Sequence, residues 1–106
     1  MIRIKSGPTG CRIGGLRPEA IVAVLITNTV YAKNDLDLRW TACVDSKHMP
    51  GSLHYVGLAI DIGPPPANLQ VAMLQTLKEA LGDDFDVVAE GDHWHVEFQP
   101  KRGINL

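Results

Sequence analysis

Apolar and polar residues alternate along several stretches of the chain, which predicts short strands with one buried face. Within 57–62, one side carries Leu58, Ile60 and Ile62, and the other carries Ala59 and Asp61. Three prolines at 64–66 end this strand. Another strand is predicted over 38–44, and a polar, turn-forming loop follows it over 45–52.

The last regular pattern predicts a β-hairpin, with strands over 85–90 and 93–98 joined by Gly91 and Asp92. A two-residue turn places residue 90 opposite 93 and residue 88 opposite 95, so that each pair shares a face. The apolar face then consists of Phe85, Val87, Ala89, Trp94, Val96 and Phe98. The opposite face carries Glu90, His93 and His95, and both imidazoles therefore point the same way.

A helix is predicted over 18–33, because Pro18 and Glu19 form a typical first turn. The apolar stripe of this helix is predicted to be Val22, Leu25, Ile26 and Val30. The β-branched residues over 21–26 leave a strand as the alternative. The first 17 residues hold four glycines and one proline, and they are predicted to form an irregular lead-in.

A second helix is predicted to begin at Asn68 as N-cap and to end at residue 81, before Gly82. Its core-facing residues recur every four positions: Leu69, Met73, Leu77 and Leu81. Together the elements predict an α+β fold, with a small antiparallel sheet and the helices packed on one of its faces.

A chain of 106 residues and 11.6 kDa has the size of a single domain, 1–106. With 45% hydrophobic and 21% charged residues and a formal net charge of −2, we expect neither nucleic acid nor anionic membrane as a partner. The N-terminal residues lack the apolar core of a secretory signal, which predicts a protein that is cytoplasmic when made and not inserted in a membrane. Cys11 and Cys43 form no Cys-x-x-Cys motif and do not suggest a disulfide framework.

All four histidines lie in two short stretches, at 48 and 54 and at 93 and 95. Imidazole and carboxylate groups bind Zn²⁺, and a catalytic zinc keeps three protein ligands and one open position for water. Asp61 lies on the polar side of its strand and can face the same cleft as the hairpin histidines. Two histidines and a carboxylate also suit a non-haem Fe(II) enzyme, although the usual His-x-Asp pair of that class is missing.

The segment Ser-x-His-x-x-Gly-x-Ala-x-Asp at 52–61, followed by Asp-x-x-His-Val-Glu at 92–97, resembles a known family. It is similar to the zinc D-Ala-D-Ala carboxypeptidases, which include vancomycin-resistance dipeptidases and phage endolysin peptidases and are structurally related to the hedgehog signalling domain. The resemblance is strong over 43–61 and 89–98. It implies a hedgehog-like fold for this chain.

The resemblance implies one Zn²⁺ ion held by His54, Asp61 and His95. It implies that Asp92 is the catalytic acid and base and that His93 stabilises the transition state. From the hairpin pattern, Glu90 is a rival for the base, because it shares the face of the histidines whereas Asp92 lies in the turn. Glu97 lies on the same side and is either a carboxylate that orients a metal ligand or a solvated residue.

For substrate binding, the resemblance implies contacts from Ser52 and His48. The arginine that many members carry after the preceding strand is missing, because Ala-Cys-Val-Asp stands at 42–45. We expect Arg39 to replace it, with Lys47 and Arg17 as alternatives.

The resemblance implies a zinc peptidase that cleaves peptidoglycan stem peptides, as a D-Ala-D-Ala carboxypeptidase or an L-Ala-D-Glu-type endopeptidase, and we expect a monomer. The predicted route to the cell wall is release by a phage lysis system. The alternative is a metal-stabilised wall-binding or interaction module of the same fold without catalytic activity.

Overall fold

The computed structural model describes residues 1–5, 16–42 and 58–100. The strands are β1 (Ile2–Ile4), β2 (Leu38–Ala42), β3 (Ala59–Ile62), β4 (Phe85–Glu90) and β5 (His93–Phe98). The helices are α1 (Pro18–Ala32) and α2 (Gln70–Leu81). The five strands form one sheet in the order β1-β2-β3-β5-β4, so the predicted α+β class is confirmed.

The sheet is mixed, because β1 runs parallel to β2 whereas the other neighbouring strands are antiparallel. The prediction of a purely antiparallel sheet is therefore wrong at this edge. The prediction of an irregular lead-in over 1–17 is likewise wrong for Ile2–Ile4. Three residues are too few to show a strand period, and β1 is stabilised by its pairing with a distant strand and by the bond from Arg3 Nε to Asp37 Oδ2 at 2.8 Å.

Both helices pack on one face of the sheet, as predicted, and they contact each other there. The sheet contributes Leu38, Trp40, Ile60, Ile62, Val87, Trp94 and Val96 to the shared core. Each large side chain in this core stabilises the fold by about 1.5–3 kcal/mol through removal from water. The opposite face of the sheet is left for polar side chains.

Helix α1 has the predicted bounds to within one residue. Its predicted apolar stripe is right at Ile26 and Val30, which contact the core, and wrong at Val22 and Leu25. Its buried residues are Ala20, Ala23, Val24, Thr27, Val30 and Tyr31, whereas Val22 and Leu25 are 47% and 56% exposed. The helix is apolar on nearly every side, so periodicity could not select the face. Neither helix in the described ranges combines the length and apolar character needed to cross a bilayer.

Helix α2 confirms the predicted stripe, since Met73, Leu77 and Leu81 are buried, and Gly82 follows its end with a φ of 85°. Asn68, however, is not the N-cap, because it lies inside a 3₁₀ turn over Ala67–Leu69. The preceding prolines favour this tighter turn. The N-cap of the helix is consequently Leu69, one residue later than the sequence predicts.

Candidate metal and catalytic site

The hairpin has the predicted register, with Glu90 opposite His93 and Val88 opposite His95. Strand β3 lies on the other side of β5 and places Asp61 directly opposite His95. Because paired residues share a face of the sheet, these side chains gather on the face opposite the helices. The prediction that Asp61 faces the hairpin histidines is thereby confirmed.

Asp61 and His95 form the most enclosed polar pair of this face. His95 Nδ1 lies 3.0 Å from Asp61 Oδ1, and the two side chains are only 16% and 14% exposed. The hydrogen bond to Asp61 raises the pKa of His95 and outweighs the opposite effect of burial. An imidazole and a carboxylate held this close supply two of the donors that zinc takes in proteins.

His93 is surrounded by three carboxylates. Its Nδ1 lies 2.8 Å from Asp92 Oδ1, and its Nε2 lies 3.5 Å from Glu90 Oε2 and 4.0 Å from Asp61 Oδ2. The hydrogen bond to Asp92 raises the pKa of His93 and lowers the pKa of Asp92. His93 therefore favours the cationic form beside the Asp61–His95 pair.

The two candidate bases differ in position. Glu90 lies in β4 on the same face as Asp61 and His95, whereas Asp92 lies in the turn, with a side chain that is 97% exposed. Both carboxylates nevertheless contact His93, from its two ring nitrogens. Either one can exchange protons with water at the edge of this site, and the assignment of the base to Asp92 stays a prediction.

Arg39 lies on the same face as His93, and Gly63 stands between them in the sheet. The Gly63 amide donates to the Arg39 carbonyl at 2.8 Å, which continues the pairing of Trp40 with Ile62. A Cβ at Gly63 would lie 3.1 Å from Arg39 Cβ and 3.6 Å from its Nε. The arginine side chain therefore extends across the glycine. Sequence reasoning missed Gly63, although a glycine between a strand and three prolines could have indicated a close approach.

Glu97 follows His95 by two residues and shares its face. Its Oε2 lies 3.7 Å from His95 Nε2, and its side chain is 19% exposed. Across the hairpin Glu97 is paired with Asp86, a residue that the sequence analysis did not single out. His95 thus has a carboxylate near each ring nitrogen: Asp61 at Nδ1 and Glu97 at Nε2.

Two of the three proposed zinc ligands lie among the residues that the structure describes. Asp61 and His95 are brought into contact, whereas His54 lies outside the described residues, together with Ser52 and His48. Within 1–5, 16–42 and 58–100, no three histidine, cysteine, aspartate or glutamate side chains could hold one metal ion together. The donor chemistry of Asp61 and His95 fits zinc, and a third ligand has to come from elsewhere in the chain.

Among the alternative sources of a substrate-binding cation, Arg17 is placed less favourably than Arg39. Arg17 is the N-cap residue of α1, which packs on the opposite face of the sheet, and Lys47 lies outside the described residues. Arg39 is the candidate that the described sheet places on the face of the histidines.

Comparison of the chain with protein-family models, curated proteins and solved structures finds no match.

Proposed function

We propose that this protein is a zinc-dependent peptidase that cleaves peptidoglycan stem peptides, with zinc held by His54, Asp61 and His95. The contact between Asp61 and His95 across β3 and β5 is the observation that carries this proposal. It supports two of the three ligands, and the sequence motif supplies the third. The nearby His93 and its carboxylates add groups suited to proton transfer.

Zinc bound at this pair supplies a water with a pKa of about 7 and polarises the carbonyl of the scissile peptide bond. Asp92 accepts the proton of the attacking water and passes it to the leaving amine. The hydrogen bond to His93 lowers the pKa of Asp92, so the carboxylate is ionised before the reaction but is a weaker base than a free aspartate. His93, whose pKa is raised, presents positive charge to the developing oxyanion.

Arg39 is proposed to hold the substrate, since a guanidinium binds carboxylate and carbonyl oxygens through several donors. Its side chain lies over Gly63, the residue that follows β3, and β3 is the neighbour of β5. A peptide that extends over this glycine would therefore meet the arginine at one end and the histidines at the other. Such a substrate places an oxygen-rich group near β2 and the scissile bond near β5.

The experiment that tests the function combines zinc analysis with digestion of purified cell walls. We expect one zinc per chain, and release of new free amino groups or D-alanine from sacculi that stops with a chelator and returns with zinc. Asp61→Asn should lose both zinc and product release. Asp86→Asn, which removes the same charge from the same face of the sheet, should keep both.

Two outcomes would overturn the peptidase proposal. Zinc-loaded protein that binds sacculi without releasing any product would indicate a metal-stabilised binding module. Product release that is indifferent to the chelator and to Asp61→Asn would show that the zinc site does not perform the chemistry.

A further inference from the structure

Glu97 occupies a position that the proposed reaction does not use. It lies on β5 two residues beyond His95, where side chains point to the same face of the sheet. The residue opposite it on β3 is Ala59, which is small and fully buried. The longer Glu97 side chain is mostly enclosed, and its Oε2 lies 3.7 Å from His95 Nε2.

His95 can give only one ring nitrogen to a metal. Nδ1 faces Asp61, the other proposed ligand in the described sheet, so Nδ1 is the nitrogen on the metal side. Once Nδ1 gives up its proton to bind a metal, the neutral ring carries its remaining proton on Nε2. Glu97 Oε2 lies 3.7 Å from this nitrogen, slightly beyond hydrogen-bond distance, so a small movement of the glutamate would let it accept the proton.

We propose that Glu97 is the positioning residue of His95: its carboxylate accepts the Nε2 proton and thereby holds Nδ1 towards Asp61 and the metal. This inference rests on the proposed zinc site. Metal-binding histidines usually donate their other ring N–H to such a partner, and loss of the partner weakens metal affinity by about 10–100-fold.

Asp86 provides a matched control, because it lies directly opposite Glu97 on the neighbouring strand and carries the same charge. An effect of the total negative charge on this face of the sheet would appear in both Asp86→Asn and Glu97→Gln. Loss of an orienting contact would appear in Glu97→Ala, since Glu97 Oε2 lies 3.7 Å from Nε2.

The test measures the affinity of the metal-free full chain for Zn²⁺ by competition with a chelating dye. We expect Glu97→Ala to weaken binding by about 10–100-fold, and Glu97→Gln to weaken it less, because the amide oxygen still accepts a hydrogen bond. Asp86→Asn should stay within about twofold of the wild type, since it leaves the contact with Nε2 in place.

Nitrogen NMR of the zinc-loaded proteins shows which ring nitrogen of His95 carries the proton. General damage to the fold would not change this position selectively. In the wild type we expect the His95 proton on Nε2 and slow exchange of that proton with water. In Glu97→Ala the Nε2 proton should exchange with water faster. The backbone amide signals of the hairpin should stay those of the folded protein.

Unchanged zinc affinity in Glu97→Ala, or an equal loss in Asp86→Asn, would overturn the positioning role and leave the zinc site intact. A wild-type chain that binds no zinc would instead overturn the proposed function, and the inference with it.

Discussion

Gly63 is the residue at which three parts of the fold meet. Its amide donates to the Arg39 carbonyl on β2, and its own carbonyl accepts a hydrogen bond of 2.8 Å from Tyr31 Oη on α1. Tyr31 is 2% exposed, and burial raises the pKa of its phenol well above the usual value. The hydroxyl therefore stays protonated and bonded throughout the neutral pH range.

Tyr31→Phe should lower the free energy of unfolding by about 1 kcal/mol at pH 7, because the hydrogen bond to Gly63 is lost. A raised pKa in the folded state contributes stability below the pKa of the unfolded chain, about 10, and this contribution is lost as the pH rises further. The difference between wild type and variant should therefore narrow above pH 10. Urea unfolding of both proteins at pH 7 and pH 10.5 measures the free energy of unfolding. The same difference between wild type and variant at both pH values would contradict the expected narrowing.

At the scale of single elements, the hairpin is the part that organises the chemistry. Its two-residue turn places Glu90 beside His93 and leaves Asp92 exposed in the turn, and both carboxylates reach the same imidazole. The strand that neighbours the hairpin then supplies Asp61. The site is built from neighbouring strands, which is a rigid arrangement for a metal centre.

Asp92→Asn is expected to lower kcat by about 10²–10⁴-fold, since it removes the proposed proton acceptor. Bound zinc should remain, because Asp92 is not among the proposed ligands. Glu90→Gln should change kcat by no more than a few-fold. If zinc stays bound in both variants and kcat falls strongly in Glu90→Gln but not in Asp92→Asn, the base is Glu90.

Gly63→Ala tests whether the position of the Arg39 side chain over Gly63 is needed for substrate binding. The new Cβ would lie 3.1 Å from Arg39 Cβ, so the arginine has to move. We expect KM for a stem peptide to rise about tenfold with kcat almost unchanged, as when an interaction made equally in ground state and transition state is lost.

Arg39→Met should produce a similar rise in KM, and the double variant should add little, because both changes remove one interaction. Arg3→Met is the matched control, since Arg3 is paired with Arg39 across β1 and β2 but is bonded to Asp37. An equal rise in KM for Arg3→Met would show that the total positive charge of this face matters, and not a specific contact between Arg39 and the substrate.

For the whole molecule, the polar face of the sheet has two unlike ends. Arg3 and Arg39 are adjacent on β1 and β2, whereas Asp86, Glu90 and Glu97 lie on β4 and β5. The formal net charge of −2 does not show this separation of positive and negative side chains. A substrate with unlike ends would be oriented along the face by these charges.

Zinc is expected to stabilise the whole domain, because the proposed ligand His95 is far in the sequence from the proposed ligands His54 and Asp61, and one ion would hold all three together. At a zinc concentration 100 times Kd, the gain is about 2.7 kcal/mol, which corresponds to a rise in Tm of roughly 10 °C or more. Asp61→Asn and His95→Ala should abolish the rise, and His93→Ala should keep it. Calorimetry with zinc and with a chelator measures these shifts, and loss of the rise in His93→Ala would add His93 to the ligands.

Much of the fold could be predicted because its information is local. The alternation on both sides of Gly91 and Asp92 determines the hairpin register, and the four-residue spacing from Leu69 to Leu81 determines the buried face of α2. The face of α1 could not be predicted, because a helix that is apolar all round offers no preferred side. The predicted start of α2 is wrong because Ala67–Leu69 form a separate 3₁₀ turn after the prolines.

The sequence by itself determined which residues can bind a metal and on which side of the hairpin His93 and His95 lie. Only the tertiary structure decided that β3 runs beside β5, that Asp61 contacts His95, that Arg39 crosses Gly63, and that β1 pairs with β2 in parallel. The physical reason is that turn residues and hydrophobic periodicity reflect interactions between residues that are near each other in the chain. The pairing of distant strands depends instead on how both helices fill the shared core on the other face of the sheet.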